Sequence, residues 1–299
     1  MRQVRIATTA FLVPDGPSSP ASNLDRALSY VEKAARRGAD IVCLPETVTT
    51  VHVSGDPAVH ADPFPGPVTK AFGHAARQGS LCVVAPYLTR VGRRIYNQAT
   101  IFDRRGAVAG YYRKVQPTGE ELRFVTAGDA LPVVRLDFGS IAVMLCMDIY
   151  FPEIPRLYAA RGAEIVFWPT VTHGPTQEGL AIQLRSRAID YSVVMVESNI
   201  AGYAPYAPYG GRFKPATARI VDQAGDVLAQ TGRREGLAVA DVDLDEIRLT
   251  SQCVLLREPD HIKQDLARLM QRKLYAREYA RLARGTVLRP QGRAGKRKR

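Results

Sequence analysis

Three side chains in this 299-residue sequence stand where an apolar run ends, and their types suit covalent chemistry. Cys146 closes the run Ile141-Ala142-Val143-Met144-Leu145 and opens Met147-Asp148-Ile149-Tyr150-Phe151-Pro152-Glu153, in which Pro152 suits the first residue of a helix. A thiol at such a strand-to-helix junction projects from a sheet rim, where the active-site loops of α/β proteins gather. Backbone N–H groups of the turn can face an oxyanion there. Glu46 ends the run Ile41-Val42-Cys43-Leu44-Pro45. A carboxylate abutting an apolar strand end is poorly solvated, which suits it to act as a general base. Lys114 follows Ala109-Gly110-Tyr111-Tyr112-Arg113, and an ammonium beside a thiol favours the thiolate and stabilises charge growing on a carbonyl oxygen. Each has an ordinary reading when taken alone: a core thiol, a helix cap or surface acid, and one of 41 basic residues.

The elements that must position these groups show in a recurring pattern. Ala34-Ala35-Arg36-Arg37-Gly38-Ala39-Asp40-Ile41-Val42-Cys43-Leu44-Pro45 returns as Ala159-Ala160-Arg161-Gly162-Ala163-Glu164-Ile165-Val166-Phe167-Trp168-Pro169. A looser copy is Ala75-Ala76-Arg77-Gln78-Gly79-Ser80-Leu81-Cys82-Val83-Val84-Ala85-Pro86. Each reads as a basic helix end, a Gly suited to a left-handed turn, and a short apolar strand stopped by Pro. Three helix-then-strand units argue for an α/β fold. The first helix carries Leu24, Leu28, Val31 and Ala35 at helical spacing, with Asn23 as its cap. Further strands are expected at Arg5–Val13, Ile95–Asp103, Ala107–Tyr112, Val193–Ser198, Ala216–Val221 and Leu237–Val242, with a hairpin turn at Asp222-Gln223-Ala224-Gly225-Asp226. A weak signal peptide is the rival reading of the first of these. Ile262, Leu266, Leu269, Met270 and Leu274 mark a late amphipathic helix.

Leu44-Pro45-Glu46, Tyr112-Arg113-Lys114 and Leu145-Cys146 through Pro152-Glu153, in that order and at those separations, resemble the nitrilase superfamily of carbon–nitrogen hydrolases. The resemblance spans essentially residues 3–245 and takes in Arg187-Ala188-Ile189-Asp190 and Val196-Glu197-Ser198-Asn199, which look like the family's helix and strand after the cysteine. It implies a four-layer α-β-β-α sandwich and dimers formed through outer helices. It also implies a second glutamate between the lysine and a Gly-Asp pair. With Gly128-Asp129 as the anchor, Glu121 fits that spacing, and the adjacent Glu120 stays open as the alternative. The implied chemistry needs no cofactor or metal: Glu46 takes the thiol proton, Cys146 attacks, and Lys114 and the Met147 N–H hold the oxyanion. Glu121 would orient Lys114. Asp148 with Phe151-Pro152-Glu153 resembles the amidase and carbamoylase branches, whereas Lys114-Val115-Gln116-Pro117-Thr118 resembles the nitrilase branch. Amide hydrolysis is the expectation and nitrile hydrolysis the alternative. Met147 and Tyr150 are the expected substrate-binding residues, and Tyr150 stands where the family often has Arg, which makes the leaving-group end of the pocket unusual.

The remaining readings concern partners and compartment. Residues 1–283 are expected to form one hydrolase domain, with 258–282 as a C-terminal helix at the interface of a homodimer or higher homo-oligomer. The net charge of +12 falls to +5 once the seven basic residues of 284–299 are set aside, so the excess sits on a tail read as disordered. A basic nucleic-acid-associated protein is the rival from another class. Its nearest support is Tyr203, Tyr206 and Tyr209 with Arg212 and Lys214, and the interleaved Pro and Gly read more simply as a loop beside the pocket. Four scattered cysteines with no close pair argue against a disulfide framework or a zinc site and for a reducing, cytoplasmic setting. No apolar run reaches membrane-spanning length.

Overall fold

Alternate residues of the apolar runs serve two different cores, and this decides the layering. The structure, a computed structural model, describes residues 2–13, 18–171, 177–204, 212–214, 217–232, 234–245 and 271–285. Along the chain come β1 (Gln3–Val13), α1 (Pro20–Arg36), β2 (Ile41–Cys43), β3 (Asp62–Pro63), α2 (Pro67–Gly79), β4 (Cys82–Val91), β5 (Arg94–Phe102) and β6 (Val108–Arg113). Then follow β7 (Val134–Arg135), β8 (Ser140–Val143), α3 (Glu153–Ala160), β9 (Ile165–Pro169), α4 (Gln177–Tyr191) and β10 (Val194–Ala204). The segments β11 (Arg212–Lys214), β12 (Arg219–Val221), β13 (Val227–Gln230) and β14 (Gly236–Asp243) complete the sheets.

Strands run β6-β5-β4-β2-β1 in one sheet and β10-β9-β8-β7 in the other. Val4, Ile6, Ile41, Cys43, Cys82 and Val84 on the first sheet pack with Ile141, Val143, Ile165, Phe167, Val194 and Val196 on the second. The intervening residues point the other way. Ala7, Phe11, Val42, Leu44 and Val83 meet α1 and α2 through Ala27, Tyr30, Val31, Phe72 and Ala76. Ala142, Val166, Trp168 and Met195 meet α3 and α4 through Tyr158, Leu180 and Leu184. This is the four-layer α-β-β-α sandwich, and its strands are near-continuous apolar runs because both faces are buried. One strand belongs to both sheets. β10 pairs with β9 along Val194–Ser198, and its later residues pair with β1 from Ala10↔Asn199 to Val13↔Gly202.

Most expected strands are present, with differences that have local causes. The cap of α1 is Ser19, which exchanges hydrogen bonds with Ser22 ahead of Pro20. Asn23 lies inside the helix, buried, and donates to the carbonyls of Thr49 and Val51. Strand β4 does not stop at Pro86 but runs on to Val91. The Pro86 carbonyl faces Val48, beyond the end of the three-residue β2, so no neighbouring strand needs the N–H that proline lacks. In the loosest repeat the left-handed residue is Ser80, φ 50°, and Gly79 is the last helical residue; Gly38 and Gly162 take the left-handed turn as expected. The hairpin turn joins β12 to β13, closed by Asp222 and Asp226 around Gly225.

The chain divides into two compact units, Met1–Lys263 and Gln264–Arg299. In the second, α5 (Arg272–Gly285) exposes Leu274, Tyr275 and Tyr279. Most of the late amphipathic pattern (262–270), Cys253, the tail beyond 285 and Tyr206 and Tyr209 lie outside the described residues, as do the side chains of Tyr203, Arg212 and Lys214.

Candidate active site

The sandwich gathers the ends of four strands at one cavity. Glu46 follows β2, Lys114 follows β6, Cys146 lies just past β8, and Val171 lies just past β9. Strands β2, β1, β10, β9 and β8 are parallel, and β6 runs parallel to β4 through two antiparallel pairings. All four groups therefore leave the carboxyl ends of their strands, the rim where loops of α/β sheets build sites. The cavity holds about 610 Å³, and Glu46, Lys114, Glu121, Cys146, Met147 and Tyr150 all line it. The structure thus brings every candidate residue together. Glu120 lines the cavity too, but it is Glu121 that reaches the lysine.

Lys114 is 1% exposed and sits between two carboxylates. Its Nζ donates to Glu46 Oε1 at 2.7 Å and to Glu121 Oε2 at 2.7 Å. Burial alone would lower the ammonium's pKa, but Glu46, the Cys146 sulfur and Glu121 outweigh burial and hold it above the ordinary lysine value. Desolvation pushes the Glu121 carboxyl up, and Lys114, the Thr118 N–H and Asn97 more than reverse that, leaving it below the usual range. The lysine therefore stays charged and the second glutamate stays ionised.

Asn97, fully buried in β5, ties the two carboxylates to each other. Its Nδ2 donates to Glu46 Oε1 and to Glu121 Oε1, each at 2.8 Å, and its Oδ1 has no partner among the described residues. Glu46 accepts a third bond from the Val171 N–H at 3.3 Å, and Glu121 a third from the Thr118 N–H at 2.7 Å. Sequence reading missed Asn97. Its signal was a polar residue in the middle of an apolar strand, where a buried amide must find partners.

Cys146 has φ 43°, a left-handed conformation that costs a non-glycine residue energy and recurs where a sharp strand-to-helix turn lifts a nucleophile off a sheet. It opens a 3-10 turn, Cys146–Tyr150, and its carbonyl accepts from Trp168 Nε1 at 2.9 Å. The thiol is half-buried, whereas Cys43 and Cys82 are buried, with desolvation pushing the first well above the ordinary thiol range and the second up to about 12. Two of the other cysteines are thus inert packing residues.

Asp148 braces the thiol's turn against the lysine's strand. It is fully buried and accepts from Leu145 N–H at 2.7 Å, from Tyr112 Oη at 2.7 Å and from Gln116 N–H at 3.1 Å. Leu145 precedes the cysteine, and Gln116 lies two residues after the lysine. Tyr112 Oη in turn accepts from the Val115 N–H at 3.2 Å. Desolvation raises the Asp148 carboxyl to about 7 even against these donors. Among the described residues no group of three His, Cys, Asp or Glu side chains is placed to hold a metal ion.

The sequence matches the carbon-nitrogen hydrolase family over residues 2–252. Omega-amidase NIT2 of Homo sapiens is 26% identical over 245 residues, which are 77% of this chain and 86% of that protein. Among solved structures, Saccharomyces cerevisiae Nit3, a member of branch 10 of the nitrilase superfamily, superposes with a TM-score of 0.74 at 22% identity, covering 86% of this chain and 96% of its own. A glutamine mutant of the amidase from Nesterenkonia sp. AN1 superposes with a TM-score of 0.70 at 25% identity over 84% of this chain and 94% of that one. In that structure the acetamide moiety of fluoroacetamide is covalently added at the active site cysteine.

Proposed function

The chain belongs to the carbon-nitrogen hydrolase family, and we propose that it hydrolyses the carbon–nitrogen bond of a small linear amide or N-carbamoyl compound through a thioester on Cys146. One observation carries the reading: a buried ammonium held 2.7 Å from each of two carboxylates, lining one cavity with a half-buried, left-handed cysteine. The omega-amidase relatives and the covalently modified active site cysteine of the Nesterenkonia amidase support it.

Glu46 takes the thiol proton, and the Cys146 sulfur forms a bond to the amide carbon as the carbonyl π pair moves onto oxygen. Lys114 and the Met147 N–H, in the first turn after the strand where helical amides lack an internal partner, hold the oxyanion. Protonated Glu46 gives its proton to the nitrogen, the C–N bond breaks, and ammonia or an amine leaves. Water then loses a proton to Glu46 and attacks the thioester; the C–S bond breaks, and the thiol recovers the proton. Glu121 and Asn97 keep Lys114 and Glu46 aimed throughout. Lys114 stays protonated, so its part is electrostatic.

The test is direct. A slow amide substrate should add an acyl mass to a peptide containing Cys146, and Cys146→Ala should abolish ammonia release with the melting temperature nearly unchanged. Turnover surviving that substitution sinks the proposal. The reading extends to a homodimer with 258–282 at its interface, to one catalytic domain over 1–283, to a basic appendage at 284–299 and to a reducing, cytoplasmic setting. No described helix is long and apolar enough to cross a membrane. Light scattering on the purified chain checks the dimer, and a monomeric mass at micromolar concentration would remove it.

A further inference from the structure

Gly128, which the sequence singles out only as half of a Gly-Asp pair, lies against the peptide that carries Lys114. A Cβ on it would stand 2.2 Å from the Arg113 carbonyl oxygen, 2.8 Å from the Arg113 carbonyl carbon and 2.9 Å from the Arg113 Cβ. Its φ lies outside the left-handed region, so close approach rather than conformation requires glycine here. The contact also carries a bond. The Gly128 N–H donates to the Lys114 carbonyl at 2.8 Å, and the Lys114 N–H donates to the Asn97 carbonyl at 2.9 Å. Both backbone groups of the lysine are therefore tied, one to β5 and one to the far end of the loop that carries Glu121. That end is moored as well, since the Thr126 N–H donates to the Ile95 carbonyl at 2.7 Å. The Arg113 peptide has little room to retreat. Arg113 pairs with Gln98 across the sheet, and its Nε donates to Gln98 Oε1 at 3.1 Å. Its guanidinium lies 3.9 Å from the Tyr96 ring centre and 4.9 Å from that of Tyr111.

We infer that Gly128 is a positioning residue: its bare Cα lets the loop close on Lys114, and that closure fixes the lysine and Glu121 against each other. The inference rests on the amidase reading of the site and adds a residue to its machinery. A Cβ at 128 must push the loop end and the Lys114 peptide apart by about 1 Å, a displacement that costs about a hundredfold in rate at a catalytic group. The test compares Gly128→Ala with Gly119→Ala, an exposed position on the same loop where a Cβ meets no described atom within 4 Å. On a simple amide Gly128→Ala should lose about a hundredfold in kcat, with KM within about threefold, while Gly119→Ala matches wild type. Lys114 attracts the Cys146 thiolate, so the pH profile of Cys146 alkylation by iodoacetamide should move upward in Gly128→Ala. A variant that merely lost stability would keep both that profile and the wild-type kcat per alkylatable Cys146. Either one at its wild-type value in Gly128→Ala, or an equal loss in Gly119→Ala, overturns the inference. Should Gly128→Ala not fold, hydrogen exchange on the wild-type enzyme decides. The Gly128 amide should be protected like that of Lys114, and exchange as fast as at Gly119 overturns the inference. If the wild-type enzyme releases ammonia from no amide, the amidase reading falls, while the alkylation profile and the exchange pattern still judge Gly128.

Discussion

Replacing Glu121 by Gln keeps the shape of the side chain and removes one charge, and the surroundings show why that should be severe. The carboxylate accepts from three donors: Lys114 Nζ and the Thr118 N–H at one oxygen, Asn97 Nδ2 at the other. An amide has one oxygen. In either orientation its NH2 group faces a donor, so a buried bond is lost and replaced by a repulsion. The gross attraction between Lys114 and Glu121 at 2.7 Å is about 6 kcal/mol at an effective dielectric constant of ~20. Much of that is offset by the desolvation that Glu121 no longer suffers. What remains should match the loss of one preorganised electrostatic group, about 2.7–4 kcal/mol, or ~10²–10³ in turnover. Steady-state ammonia release should therefore show Glu121→Gln slowed by that factor. Glu120→Gln, which disturbs no bond to Lys114, should stay within about threefold on an uncharged amide. Circular dichroism melts would confirm that both variants fold. A Glu121→Gln enzyme within fivefold of wild type, or a larger loss from Glu120→Gln, would refute the electrostatic reasoning.

Other outcomes follow from the same geometry. Asn97→Ala removes the bridge between Glu46 and Glu121 and leaves a buried gap, so turnover should fall at least tenfold and stability by about 1–3 kcal/mol; unchanged kinetics would show that Asn97 only fills space. Asp148 takes up its proton more readily in the folded state, with a carboxyl raised from 3.8 to about 7. The contribution of this raised acid to stability is fully present below the ordinary carboxylate range and is lost as pH rises through about 7, up to about 4 kcal/mol in all. Denaturant titrations of wild type and Asp148→Asn across that range should differ in slope, and parallel curves would contradict the burial argument. Thiol alkylation should end activity while a chelator leaves it intact; activity lost to EDTA and restored by zinc would contradict the thioester route. Deleting 284–299 should leave kcat/KM for amides nearly unchanged and reduce only salt-sensitive adsorption to polyanions. Tight, sequence-selective RNA binding lost with that deletion would favour the nucleic-acid reading instead.

How far the sequence announces this molecule depends on the range of the interactions involved. Strand ends were legible because short apolar runs closed by Pro are local patterns, and Glu46, Lys114 and Cys146 each stand at one. The sandwich itself came only with the family resemblance: strands buried on both faces lose the alternation that would show which side meets which layer. The Ser19 cap was missed in favour of Asn23, since both residue types cap helices and only the reciprocal bond with Ser22 decides between them. Which groups Asn97 and Asp148 would join was illegible because their partners are remote in the chain. Asn97 meets Glu46 across 51 positions, and Asp148 meets Tyr112 across 36. No local pattern carries that information.

The strand shared by both sheets has a consequence for how activity arises in time. Glu46, Lys114 and Glu121 come from loops of one sheet and Cys146 from the other, and β10 is the seam along which the two are sewn. Neither half has a complete set of reacting groups before that seam closes. Pairing β1 with β10 joins residues nearly two hundred positions apart, the kind of distant contact that forms late because a long loop must first be closed. During refolding, helical signal should thus return ahead of amide turnover, and the lag between them would time the closing of the seam.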